Sequence, residues 1–196
     1  MQRNWIGRSQ GVDIDFVIEP VGETITVFTT RVDTIFGATF VALAAEHPLA
    51  ARLAEGTPRE AEVLAFIERV RGEHAATRGG EEAEKVGIFT GGYAVNPMNG
   101  ERLPVWIANY ILTGYGTGAI MAVPAHDELD LEFARRYGLP VRVVIQPEGD
   151  ALDADTMAEA YVGEGRQVNS GQFDGLPSEQ GKESIADHME AHGCGR

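Results

Sequence analysis

Hydrophobic and polar positions alternate over Val12-Asp13-Ile14-Asp15-Phe16-Val17-Ile18, and again, against threonines, from Glu23 to Phe28. That two-residue period is the mark of half-buried strands, with Pro20 to Gly22 as the turn between them. A third apolar run, Phe40 to Ala45, fits a strand or a short helix. The period then changes: Val63, Phe66, Ile67 and Val70 form one stripe, which predicts a helix from about Pro58 to about His74. Thr57 is its expected cap, Pro58 its first residue and Glu60 the partner in a capping box. Arg78 to Glu84 is rich in glycine and charge and reads as an exposed loop.

Two further strands, Val86 to Val95 and Leu103 to Leu112, flank the turn residues Asn96-Pro97-Met98-Asn99-Gly100 and predict a hairpin. An apolar stretch, Ala119 to Val123, precedes a helix that begins near Glu128 and stops at Gly138-Leu139-Pro140, followed by a strand over Val141 to Ile145. Gln146 to Pro177 has little periodicity. Ser178 is then the expected cap of a last helix carrying Ile185 and Met189, with Gly193 at its end. Without repeat or linker, residues 1–196 read as one mixed α/β domain, its many strands in a closed or curled, barrel-like sheet with peripheral α-helices.

Composition narrows the partners. No run approaches the ~20 apolar residues of a membrane helix, and Met1-Gln2-Arg3-Asn4-Trp5 lacks the apolar core of a signal peptide, so a cytoplasmic protein without membrane contact is expected. Cys194 is the single cysteine, and His47, His74, His126, His188 and His192 show no metal-ligand spacing with it, so no metal and no cofactor are expected. Sixteen Lys and Arg against thirty Asp and Glu give a net charge of -14, the wrong sign for gripping nucleic acid mainly through phosphates. A monomer is the default.

Gly114-Tyr115-Gly116-Thr117-Gly118-Ala119 fits the G-x-G-x-x-G/A dinucleotide fingerprint, but Pro124 interrupts the helix that should follow, so a tight turn is the better reading. No nucleophile elbow, phosphate loop or H-E-x-x-H motif occurs. Two polar clusters remain. Thr29-Thr30-Arg31-Val32-Asp33-Thr34 follows a strand, where such side chains either meet a ligand or stabilise a turn. His126-Asp127-Glu128-Leu129-Asp130 places Asp127 and Asp130 on one face of a helix start, where a cap and a first-turn acid explain most such pairs and His126 reads as a turn histidine.

Taken together, Thr29-Thr30-Arg31-Val32-Asp33-Thr34-Ile35-Phe36-Gly37 and Gly116-Thr117-Gly118-Ala119-Ile120-Met121-Ala122-Val123-Pro124-Ala125-His126-Asp127-Glu128-Leu129-Asp130 resemble the two signature regions of leucyl-tRNA synthetase editing domains. The lead-in Trp5-Ile6-Gly7-Arg8-Ser9, the segment Glu46-His47-Pro48-Leu49 and the closing Gly193-Cys194-Gly195-Arg196 extend the likeness along nearly the whole chain. It places the valyl and isoleucyl versions behind the leucyl one. The adenylate-forming HIGH-type and KMSKS-type signatures are missing, so no aminoacylation is expected of this chain. Val32 stands where that family usually has proline, and Leu129 where it usually has arginine.

The resemblance implies hydrolysis of the ester between a noncognate amino acid, such as isoleucine or norvaline, and the 3′ end of tRNA(Leu), with the other domains of a parent synthetase as partners. Within it Asp130 holds the substrate α-ammonium and Thr34 gates against leucine. Leu112, Tyr115, Ile120, Met121 and Val123 form pocket wall, and Thr29, Thr30 and Arg31 surround the terminal adenosine and the reacting ester. Asp127 and His126 complete the substrate-binding group. The rival readings are a non-catalytic module for an amino acid or nucleoside, separated by turnover, and a structural domain in which both clusters are only turns and caps.

Overall fold

The computed structural model describes residues 11–76, 84–114, 116–149 and 151–196, with only the backbone of residues 75 and 76. The lead-in Trp5 to Ser9, Tyr115 and nearly all of the expected loop Arg78 to Glu84 lie outside the described residues.

Strands β1 (Val12–Glu19) and β2 (Glu23–Thr29) form the antiparallel pair that the alternation predicts. Ile14 opposes Val27 and Phe16 opposes Ile25, all four buried, so one face of the ribbon is core. The hairpin of β4 (Gly87–Val95) and β5 (Arg102–Ala108) joins β1 through β4. The run left open between strand and helix is strand β3 (Phe40–Leu43); all its residues are buried and it lies parallel to β5, as suits a strand covered on both faces. β6 (Ala119–Ala122) pairs antiparallel with β3, giving the order β2-β1-β4-β5-β3-β6.

The expected closure into a barrel does not occur. Edge strands β2 and β6 approach each other, but no ladder joins them. A cavity lined by Val27, Phe28 and Thr29 of β2 and by Ile120 and Met121 of β6 stands where that ladder would run.

Several boundaries differ from the sequence reading. The strand expected to reach Leu112 stops at Ala108, because Asn109 turns its side chain onto the chain before β4, accepting from Val86 N at 2.9 Å and donating to Glu84 O at 3.0 Å. Helix α1 (Pro48–Arg52) is capped by His47 and was not foreseen. Helix α2 (Glu60–Ala76) starts two residues late, and Glu60 reaches Gly56 N at 2.9 Å rather than closing a box with Thr57. The strand expected over Val141 to Ile145 shrinks to β7 (Ile145–Gln146), paired with β8 (Arg166–Gln167). Helix α4 (Ser178–His192) buries Ile185 and Met189 and ends at Gly193, but Ser178 does not cap it. Its hydroxyl instead bonds Gly165 N at 2.9 Å and Gly165 O at 3.1 Å, tying the helix to the approach to β8.

Helix α3 (Glu128–Tyr137) matches its expectation at both ends. Asp127 accepts from Asp130 N at 3.1 Å, and Gly138 takes the left-handed φ of 65° that ends a helix. Its Phe133 is fully buried, with ring centroids 5.3 Å from Phe40, 5.6 Å from Trp106 and 4.7 Å from Tyr137. Burying such a ring stabilises by about 1.5 to 3 kcal/mol, and here it fixes the helix against the sheet. Among the described residues no helix is long and apolar enough to cross a membrane.

Candidate functional site

Where β2 ends, the threonine cluster folds back on itself. Thr29 Oγ1 accepts from Arg31 N at 3.0 Å, and Thr34 Oγ1 donates to Arg31 O at 2.7 Å, which sets the chain into a 3-10 helix over Val32–Gly37 with all six residues buried. Asp33 is fully buried, and a carboxylate there costs several kcal/mol unless paired. Arg31 pairs with it at 3.1 Å and passes its other amine to Val162 O at 3.3 Å. Val32 packs into the main core, so its departure from proline is accommodated by apolar burial. The Thr30 hydroxyl is exposed and has no hydrogen-bond partner among the described residues.

Across the gap, β6 runs into the turn that starts α3. Gly116 and Gly118 have φ of 62° and 74°, and a strand follows them rather than a helix, in keeping with a tight turn. The cavity between the two walls has a volume of about 310 Å³. Thr29, Thr30, Arg31 and Thr34 line one side; Ile120, Met121, Val123, His126, Asp127 and Asp130 line the other. Leu112 is 48% exposed and is not among the lining residues, and Tyr115 lies outside the described ones. Val27 and Phe28 were missed. Strand period puts neighbours on opposite faces, so their common place at the cavity needs the knowledge that β2 is an edge facing β6.

Asp130 is 3% exposed. Its Oδ1 accepts from the Tyr110 hydroxyl at 3.0 Å and its Oδ2 from Val123 N at 2.9 Å. Burial, and then the charge of Asp127, push its carboxyl up to about 7, against the two hydrogen bonds, which favour the charged form. Asp127 itself is exposed and is spent as the helix cap. Leu129, on the outer face, is 44% exposed.

His126 is fixed by its neighbours. Its Nε2 faces the amide protons of Val144 at 3.0 Å and Ile145 at 3.2 Å and so must be an acceptor; Nδ1 therefore carries the proton and donates to Tyr161 O at 2.8 Å. Burial holds its pKa below the ordinary value. With both nitrogens committed, the ring has none left for proton transfer and instead ties the turn before α3 to the strand segment at β7. Among the described residues no group of three or more His, Cys, Asp or Glu is placed to hold a metal ion.

The arrangement suits a small cation with an apolar side chain: a buried carboxylate for the charge, Ile120, Met121 and Val123 for the apolar part, and threonine hydroxyls opposite. Fold and site thus define a pocket domain of open mixed-sheet type. Residues 3–190 match the family described as "Leucyl-tRNA synthetase, editing domain". A leucine–tRNA ligase of Nitratidesulfovibrio vulgaris is 56% identical over 201 residues and one of Geotalea uraniireducens 58% identical over 197, each covering 100% of this chain. A solved structure, the ternary complex of Agrobacterium radiobacter K84 agnB2 LeuRS with tRNA and LeuAMS, has a TM-score of 0.72 and 36% identity, covering 100% of this chain and 20% of that one. The chain spans about a quarter, 24%, of the length of the curated relatives it matches. It belongs to the leucyl-tRNA synthetase editing-domain family.

Proposed function

We propose that residues 1–196 act as one editing unit of a larger leucyl-tRNA synthetase, hydrolysing the ester between a noncognate amino acid and the 3′ end of tRNA(Leu). The observation that carries this is the buried Asp130 carboxylate facing the threonine loop across a small, partly apolar cavity. Asp130 receives the α-ammonium of the attached amino acid. Thr34, fully buried and fixed by its bond to Arg31 O, forms the gate against leucine. One methylene in an apolar pocket is worth only about 1 to 3 kcal/mol, so an activating site needs such a second sieve for isoleucine, norvaline and their like.

The bond to be broken is an activated ester, so positioning a water is most of the task. His126 does not serve as its base, since both ring nitrogens are committed. The water is held by the Thr29 hydroxyl, whose oxygen already accepts from Arg31 N and whose proton remains to be donated, by the open hydroxyl of Thr30, and by the substrate's free ribose hydroxyl. The chain works as a monomer, with the remaining synthetase domains holding the body of the tRNA.

The test is deacylation of isoleucyl-tRNA(Leu) and leucyl-tRNA(Leu) by the chain and by its Asp130→Ala and Thr34→Ala variants. Hydrolysis of the isoleucyl ester falls about a hundredfold with Asp130→Ala, the scale of losing one partner of a buried charge pair. Thr34→Ala extends hydrolysis to the leucyl ester. Full activity of Asp130→Ala, or no hydrolysis of either ester by the unaltered chain, overturns the reading.

A further inference from the structure

Tyr110 was not nominated by any motif. It lies just after β5, in the turn that ends that strand, and its ring packs 5.6 Å from Phe133 in the cluster beneath α3. Its hydroxyl is not idle there: it donates to Asp130 Oδ1 at 3.0 Å, while Val123 N holds Oδ2 at 2.9 Å. The carboxylate is thus clamped at both oxygens, from two different elements, with one lone-pair direction left on each. We propose that Tyr110 is a positioning residue for the editing reaction, its donated hydroxyl holding the Asp130 carboxylate in the orientation from which it receives the substrate ammonium. This rests on the reading of Asp130 given above.

The surroundings make the clamp matter. Asp127, the cap of α3, and Glu132 within that helix bear negative charge toward this pair, and the cation across the cavity, Arg31, is already spent on Asp33. His126, the other titratable group lining the cavity, is held neutral. Among the described residues the charged form of Asp130 therefore has two donors and no cation in its support. Burial and then Asp130 push the Tyr110 hydroxyl well above its ordinary value, so it remains a donor at every working pH. Removing it takes away a hydrogen bond to a charged group and leaves the carboxylate one donor short.

The experiment is a pH titration of the Asp130 carboxyl carbon by NMR in the chain and its Tyr110→Phe variant, beside the pH profile of kcat/KM for isoleucyl-tRNA(Leu) and the Asp130→Ala control. In Tyr110→Phe the Asp130 midpoint rises, the acid limb of the profile rises with it, and kcat/KM below pH 7 drops about tenfold or more. A role in packing alone leaves the midpoint and the limb in place, which overturns the proposal. If Asp130→Ala deacylates normally, the editing reading falls as well; if it is inactive while Tyr110→Phe titrates like the unaltered chain, the Tyr110 role falls alone. Should phenylalanine fail to fold, 3-fluorotyrosine at this position, similar in shape and more acidic, lowers the Asp130 midpoint; an unchanged midpoint is again contrary.

Discussion

Asp130 is ionised only against its surroundings, and that has a sign that can be checked. Its carboxyl moves from the model-compound 3.8 to about 7, so between those values the folded chain keeps a proton that the unfolded chain gives up. Stability from this group therefore falls as pH rises through that window. Asp130→Asn is expected to unfold at higher temperature than the unaltered chain at pH 8, with the gap closing toward pH 4; a chain of this length gains roughly 2 to 4 °C per kcal/mol. Thermal unfolding followed across pH checks it. His126 has the opposite sign: its pKa lies below 6.5, so its contribution is present above that value and is lost as pH falls through the folded pKa. Nitrogen NMR should find a neutral imidazole with the proton on Nδ1 and a midpoint below 6.5. At the cavity mouth Phe28 leaves 48% of its surface exposed, a face on which a base can stack for about 1 to 3 kcal/mol. Phe28→Ala is expected to raise KM for isoleucyl-tRNA(Leu) by about fivefold or more with little change in kcat.

At the scale of elements, the site depends on how α3 is seated, because Asp130 lies three residues before Phe133 and both are buried. At Gly87 on β4 sheet and helix meet closely: a Cβ there would stand 2.5 Å from Phe133 Cζ and 2.6 Å from Ile107 O. Gly87→Ala is expected to cost about 1 to 3 kcal/mol, as overpacking does, measured by denaturant unfolding. No sequence pattern singles out Gly87, since the clash is with a residue 46 positions away (133 minus 87). What the sequence made legible was local. The alternation over Val12 to Ile18 and the Asp127 cap with Gly138 stop each need only near neighbours, and β1 and α3 follow them. Where a tertiary bond competes, local signals lose: Ser178 has the right type and place for a cap but serves Gly165, and Asn109 ends β5 by reaching back toward Glu84. The candidate site divides the same way. The two clusters stood out by polarity, whereas Tyr110 reads as one more position of the strand expected over Leu103 to Leu112 until its partner 20 residues on is known.

For the whole molecule, charge and substrate pull in opposite directions. A net charge of -14 repels the phosphates of the RNA whose end the cavity is proposed to receive. The resolution lies in how little of the RNA needs to be held here: a terminal adenosine and its ester make most of their contacts through hydroxyls, apolar walls and the face of Phe28, none of which depends on phosphate. Single-stranded ends release about 0.7 counterions for each phosphate neutralised, so one or two such contacts weaken binding only about three- to sevenfold when salt rises fourfold. A titration of this chain with uncharged tRNA(Leu) at two salt concentrations is therefore expected to show weak binding with that shallow dependence. A loss of a hundredfold or more over the same range would require a set of phosphate-binding cations on this domain, and would overturn the proposal that the body of the tRNA is held elsewhere.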